Sequence, residues 1–327
     1  MHAHCMTKEI ENWAEQYKFE DLRRLTHDRH ELIAEIEAGD YVYLAAEIVM
    51  LREAFEELSP WDRCQARAMA QGMGADRAVV SGNSAARLWG IAVVGIEKFS
   101  ELTYVWPTRP YKKSLWPPGI RYRSSRLSLD EVHEQHGVRV TKLSRTLIDV
   151  TRYYGLEAGV TAIDSARKLW PELTKEWLES VLCGMRPYQG KELVRKAIRW
   201  SVADSGSPLE SRARAQILES GLVDPTEVTT QVPISLPGRS DPVFADIGVG
   251  PIVVVEVDGR VKYDGKTYGE TTDDALRKER DREKAISNTG RIVIRTDFKA
   301  LRRRPGGGSQ FIDDLRDALR RAGQLVA

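Results

Sequence analysis

The last stretch of about 120 residues constrains the fold most, because strand and helix patterns follow one another there in a single order. PLESRARAQILESG, from Pro208, has Leu209, Ala213, Ile217 and Leu218 at helical spacing and closes at Gly221. EVTTQVPI, DPVFADIGV and PIVVVEVDG then read as three strands. A polar loop rich in Gly, Lys and Asp covers 259–270. DDALRKERDREKAISNTG follows as a long charged helix, RIVIRTD as a strand and QFIDDLRDALRRAG as a last helix. RRRPGGGS, at 302–309, reads as a flexible connector whose arginines keep a loop soluble. The order α-β-β-β-α-β-α predicts a mixed α/β domain over 201–327.

The whole chain has 327 residues, about twice the roughly 150 of one domain, so two or three domains are expected. With 42% hydrophobic and 30% charged residues it has core enough for each, which excludes a collagen, a coiled-coil rod and a mostly disordered chain. No apolar run approaches the roughly 20 residues of a membrane span. MHAHCMTKEIENWAEQ lacks the apolar stretch of a signal peptide. Cys5, Cys64 and Cys183 lie far apart without a CxxC pair, so free thiols in a reducing cytoplasm are expected.

Charge divides the chain further. Residues 1–60 carry 6 basic and 14 acidic side chains, residues 61–200 carry 23 and 14, and residues 201–327 carry 20 of each. An acidic unit over 1–60 and a basic one over 61–200 follow, with a nucleic-acid surface expected in the middle segment. Residues 7–17, 19–26 and 28–38 read as three short helices and YVYL as a short strand, which suggests a winged-helix-like unit. A further helix is expected from about Ala45 to Phe55, and another from Pro60. Residues 61–200 read as mixed α/β: strands near 78–81 and within 101–142, then four helical patterns. SVADSGSP, at 201–208, is the best linker candidate.

The acids of the C-terminal segment suggest chemistry. Asp246 lies between apolar neighbours in VFADIGV, and Glu256 and Asp258 end the run IVVVEVD. Strand side chains alternate, so Glu256 and Asp258 point to one face, and an adjacent strand can bring Asp246 beside them. Clustered acids repel unless a cation neutralises them, and hard oxygen ligands suit Mg²⁺ or Mn²⁺. Such an ion lowers the pKa of water and stabilises charge on a phosphodiester. Glu210, on the preceding helix, is placed to complete the set. An isolated acid of this kind is usually a solvated strand end, and Glu210 also suits a helix first turn.

SPLESRAR, the strand of Gln231, FADIGV, VVVEVDGRVKY, RKERDREKAISNTG and RIVIR together resemble the PD-(D/E)XK nuclease superfamily. More narrowly, they resemble its branch related to very-short-patch-repair endonucleases. That resemblance implies a restriction-endonuclease-like α-β-β-β-α-β domain with Glu210, Asp246 and Glu256 as metal ligands, and Gln231 in support. It also implies that Arg280 and Arg282 approach a DNA backbone. The superfamily pattern has Lys two residues after Glu256, where this chain has Asp258; Lys262, in GRVKY, stands where the branch often has His. Lys262 is therefore the candidate to polarise water or steady the leaving oxyanion, with a degraded site as the alternative.

VVSGNSAARLWGI, LTYVWPTRP, GIRYRSSRL and GVRVTKLSRTLIDVTR resemble the AbiEi-type antitoxin architecture. That implies transcriptional self-repression and a toxin as protein partner, although the candidate recognition helix, DRHELIAEIEAG, is acidic. In TYVWPTRPYKKSLWPPGIRYRSSR the cations Arg109, Lys112, Lys113, Arg121 and Arg123 alternate with aromatics. They either track phosphates beside stacked bases or decorate a sheet whose Trp and Tyr are core. The reading is a cytoplasmic, Mg²⁺-dependent DNA endonuclease in defence, repair or stress response. Its alternative is a non-catalytic antitoxin-like regulator. A homodimer suits cleavage of both strands of a duplex, though no residue specifies one.

Overall fold

The computed structural model of the chain describes residues 17–24, 29–110, 112–135, 137–184, 188–237, 240–258 and 285–324. The chain divides into two compact units, Met1–Gly155 with Ser180–Lys191, and Leu156–Glu179 with Glu192–Ala327. Both mix helices with sheets, as the α/β class requires. No helix among the described residues is long and apolar enough to cross a membrane. Cys64 is buried and Cys183 exposed, and both are free.

The first unit begins with β1 (Glu20–Asp21), α1 (His30–Ala38), β2 (Tyr41–Ala45), β3 (Ile48–Leu51), α2 (Arg52–Glu57) and α3 (Pro60–Met73). The sheet order is β1-β3-β2, all antiparallel. Two expectations are corrected here. Residues 20–24 form a short strand and a single 3-10 turn instead of a helix, and the helix expected from Ala45 starts only at Arg52. Ile48, Val49 and Met50 are all buried and pair with the YVYL strand, so burial on both faces overrides their helical spacing. The helix expected over 7–17 lies outside the described residues, Tyr17 apart.

A second sheet in this unit is built from β4 (Ala78–Val80), β5 (Ser100–Tyr104), β6 (Ile120–Tyr122), β7 (Val132–Gln135) and β8 (Val138–Thr141), in the order β6-β5-β4-β8-β7. Helices α4 (Gly82–Leu88) and α5 (Leu143–Tyr154) pack against each other.

The second unit contains α6 (Leu156–Leu169) and the start of α7 (Lys175–Gly184). It goes on through α8 (Lys191–Trp200), α9 (Pro208–Ser220), β9 (Val228–Ile234), β10 (Val243–Val249), β11 (Val253–Asp258), β12 (Ile292–Asp297) and α10 (Gln310–Arg321). Its sheet runs β12-β11-β10-β9, with β11 and β12 parallel and the rest antiparallel. The expected order after Ser207 is present, except that the charged helix is described only at residues 285–287. One sheet face packs Ile247, Val249, Val253, Val255 and Ile294 against Ala213 and Ile217 of α9 and Phe311, Leu315 and Leu319 of α10. The other gathers Ile234, Leu236, Ala245, Val254 and Ile286.

Helix α9 is buried from Ser211 to Leu218 without a break, so its polar residues need partners. Arg214 pairs with Asp164 of α6 at 2.6 Å, and Arg212 with Glu157 at 2.8 Å. The segment 201–208 is not a free linker. Ser201 and Ser205 are buried, the Val202 N–H donates to Asp164 Oδ1 at 2.7 Å, and Lys168 Nζ donates to the carbonyls of Ser205 and Gly206. Likewise residues 302–308 are tied down: Arg304 N donates to the Gly308 carbonyl at 3.1 Å, and Gly307 N returns to Arg304 O at 3.0 Å.

Because both members of the Arg214–Asp164 pair are buried, Asp164→Ala should lower stability by about 3–5 kcal/mol. The double change Asp164→Leu/Arg214→Met should recover most of that loss. Urea unfolding checks both, and a loss below about 1 kcal/mol for Asp164→Ala would show that the pair does not hold α9 in place.

Candidate functional site

The site is assembled where the sheet of the second unit changes course. Val228 packs against the cluster on the α9 side, whereas Val232 and Ile234 pack against the opposite cluster. Residues an even number apart share a face of a regular strand, so β9 reverses its faces between them. Gln231, at φ +49°, makes the reversal; a left-handed conformation there strains any residue but glycine. Strand β10 does the same one step across. Ala245 faces one cluster and Ile247 the other, and the pairs Ala245–Val232 and Ile247–Thr230 place Asp246 level with Gln231. Gly248 permits the close approach, since a Cβ there would lie 2.8 Å from the Val232 side chain.

Pairing between β10 and β11 extends only to Ile247–Val255, although both strands continue past that step. Beyond it, Asp246 reaches across to β11, where its Oδ2 accepts the Val257 N–H at 2.7 Å. The carboxylate therefore bridges two strands whose ladder has ended.

Glu210 enters from the first turn of α9, whose N-cap Ser207 accepts the Glu210 N–H at 3.2 Å. Glu210 Oε2 accepts the Gly206 N–H at 2.9 Å and the Gln231 side-chain amide at 3.1 Å. Burial first, then the nearby charge of Asp246, raises the Glu210 carboxyl above its ordinary range. The contacts with Gly206 and Ser207 and the charge of Lys168 act the other way. Lys168 had no signal in the sequence, since it belongs to a helix placed outside this domain there.

Glu210, Gln231 and Asp246 are thus brought together. Glu256 is half-buried and Asp258 exposed at the end of β11, level with Arg295 and Asp297 of β12. Among the described residues no group of three or more His, Cys, Asp or Glu is placed to hold a metal ion. The carboxylate pair Glu210–Asp246 still suits Mg²⁺, which binds through one or two carboxylates and completes its shell with water and phosphate oxygens. Lys262, Arg280 and Arg282 lie outside the described residues.

The aromatic–basic stretch belongs to the first unit. Arg123 is consumed by an ion pair with the fully buried Glu101, and its guanidinium lies over the Tyr153 ring at 4.3 Å. Arg121 stacks over Phe99 at 3.7 Å. Arg109 lies 5.4 Å from the Trp106 ring, whose exposed indole Arg126 also covers, at 4.3 Å. Lys112 and Lys113 are exposed beside a short 3-10 turn. The stretch is a sheet edge with its cations on its aromatics. Compared with protein families and with curated proteins, the chain matches no family model and no curated sequence.

Two outcomes follow from this geometry. Glu210 has a raised folded pKa, so its contribution to stability is greatest below the ordinary glutamate value of about 4.3 and falls as pH rises through the folded value. Glu210→Gln keeps the shape and an acceptor, so its melting temperature relative to wild type should rise from pH 4 to pH 7. A flat difference across that range, measured by scanning calorimetry, would contradict the raised pKa. For the strained strand residue, Gln231→Gly should be more stable than Gln231→Ala by about 1 kcal/mol, since both lose the amide but only glycine tolerates φ +49° freely.

Proposed function

We propose that the second unit is a metal-dependent nuclease that hydrolyses phosphodiesters of DNA. The observation that carries this reading is the meeting of Glu210, Asp246 and Gln231 at the step where two strands reverse their faces and the β10–β11 ladder ends. Strain and a half-buried pair of neighbouring carboxyls each cost folding energy, and both concentrate at functional sites. Glu210 and Asp246 would hold Mg²⁺ or Mn²⁺, which in turn would supply an activated water and charge stabilisation on the phosphate. Gln231 is a positioning residue: its amide donates to Glu210 Oε2 and fixes that carboxylate's orientation. Glu256 and Asp258 stand on the adjoining strand end, within reach of substrate.

In the same reading the α1–β2–β3 segment is the winged-helix-like unit, and β4–β8 with their helices form the AbiEi-like segment. A second reading is favoured by one feature, Asp258 standing where the superfamily pattern has Lys. It makes the protein a non-catalytic, antitoxin-like regulator on a retired nuclease fold.

A nicking assay separates the two. Supercoiled plasmid and single-stranded DNA are incubated with the full chain and Mg²⁺ or Mn²⁺. Wild type should cut, Asp246→Asn and Glu210→Gln should not, and Gln231→Ala should lose about 10–100-fold in activity or metal affinity. Failure of wild type to cut either DNA with either metal would sink the nuclease reading in favour of the regulator.

A further inference from the structure

A groove of about 480 Å³ in the second unit is lined by Lys299, Arg302, Arg303, Arg304, Pro305 and Gln310. Four of the six are cations and none is a carboxylate. We propose that this groove binds the phosphodiester backbone of a nucleic acid, independently of base sequence and of metal. The choice of nucleic acid as the polyanion rests on the nuclease reading above.

The loop that makes the groove is fixed in advance. Asp297 Oδ1, at the end of β12, accepts the Lys299 N–H at 2.9 Å and the Ala300 N–H at 2.8 Å. Leu301 is fully buried in the core, and its carbonyl accepts Gln216 Nε2 at 2.8 Å. Pinning residue 301 inward leaves Lys299 and Arg302 exposed on either side of it. Two of the arginines are already held. Arg303 pairs with Glu157 at 2.9 Å and with Glu219, and Arg304 with Asp313 at 2.6 Å and Gln310 at 2.9 Å.

Lys299 and Arg302 are different. Neither side chain makes a hydrogen bond or ion pair with any described residue. Two uncompensated cations beside two oriented guanidiniums form a site for an extended anion, because a guanidinium fork and an ammonium both match phosphate oxygens. No aromatic side chain is among the residues that line the groove, so a base has no ring to stack on and the contact carries no sequence information.

Position supports the same inference. Parallel pairing of β11 with β12 puts Asp258 level with Asp297. Neighbouring strands lie about 4.8 Å apart and each residue advances about 3.3 Å, so the loop backbone starts on the order of 10 Å from the Glu256–Asp258 strand end. A strand held at the groove would pass the end of the sheet where the candidate acids lie.

The test is fluorescence anisotropy of the full chain with labelled duplex and single-stranded DNA in EDTA, over a range of salt concentrations. The variant is Lys299→Ala/Arg302→Ala, both exposed and outside the core. Its control is Arg320→Ala/Arg321→Ala, an equal change of charge at the end of α10. The groove variant should bind at least about 10-fold more weakly, with a log–log salt slope smaller by about 2, since each lost phosphate contact removes about 0.9. The control should stay near wild type. No binding by wild type, an unchanged groove variant, or an equal loss in the control would each overturn the proposal. Its fate is separable from that of the nuclease reading. Groove-dependent binding in EDTA by a protein that never cuts leaves the groove standing without the nuclease. Cleavage by wild type, with binding indifferent to Lys299 and Arg302, does the reverse.

Discussion

Burial of helix α9 on both sides is the constraint from which the second unit follows. One side of the helix belongs to the sheet through Ala213 and Ile217, and the other carries Arg212, Arg214 and Gln216, also buried. Guanidiniums cannot leave water without carboxylates, and Asp164 and Glu157 of α6 provide them. Residues 156–179 and 192–200 therefore belong with the sheet domain, and α6 packs along α9. A sandwiched helix also has a fixed first turn. Glu210 sits in that turn, so the arginine pairs that hold α9 also set where the Glu210 carboxylate points.

The second device is the paired reversal of strand faces. A regular strand at Gln231 would keep Val228 and Val232 on one face, yet the two pack on opposite sides of the sheet. The left-handed residue stores strain of order 1 kcal/mol or more, and the packing on either side holds it there. With β9 and β10 reversing together, the β10–β11 ladder stops at Ile247–Val255. An interrupted ladder leaves backbone donors unpaired, and Asp246 satisfies one of them at Val257. The acid thus does structural work as well as standing beside Glu210. A variant that removes the whole Asp246 side chain therefore reports on both roles, whereas Asp246→Asn keeps an acceptor for Val257 N–H.

Much of this unit was legible in the sequence. The strands around Gln231, Asp246 and Glu256 and the helix of Glu210 stand where alternation and capping residues indicate, and Ser207 caps as its position before PLES suggests. What the sequence hid were interactions between distant segments. SVADSGSP reads as a linker because Ser, Gly and Asp favour turns. Only the positions of Asp164 and Lys168 show that its serines and carbonyls are clamped. In the same way, RRRPGGGS reads as a solvated connector until Glu157, Glu219 and Asp313 are seen to hold two of its arginines. The strand Ile48–Leu51 was hidden for another reason: a fully buried apolar run has no periodicity that separates helix from strand.

The two ends of the charge pattern bear on each other. Glu210, Asp246, Glu256, Asp258 and Asp297 gather carboxylates at one end of the sheet, and carboxylates alone repel a polyanion. Screening in physiological salt acts over about 8 Å, so distant basic residues do little to offset that repulsion. Cations must lie close by and must not be neutralised by partners of their own. Arg123, locked on Glu101, fails the second condition, and Arg303 meets it poorly, with Glu157 and Glu219 beside it. Among the described residues Lys299 and Arg302 meet the second condition, and the same parallel ladder starts their loop on the order of 10 Å from the Glu256–Asp258 strand end, near one screening length. In the proposed reading, a cation held by Glu210 and Asp246 and the exposed Lys299 and Arg302, on the loop after a strand two places from that of Asp246, together offset the repulsion a phosphodiester meets from these carboxylates.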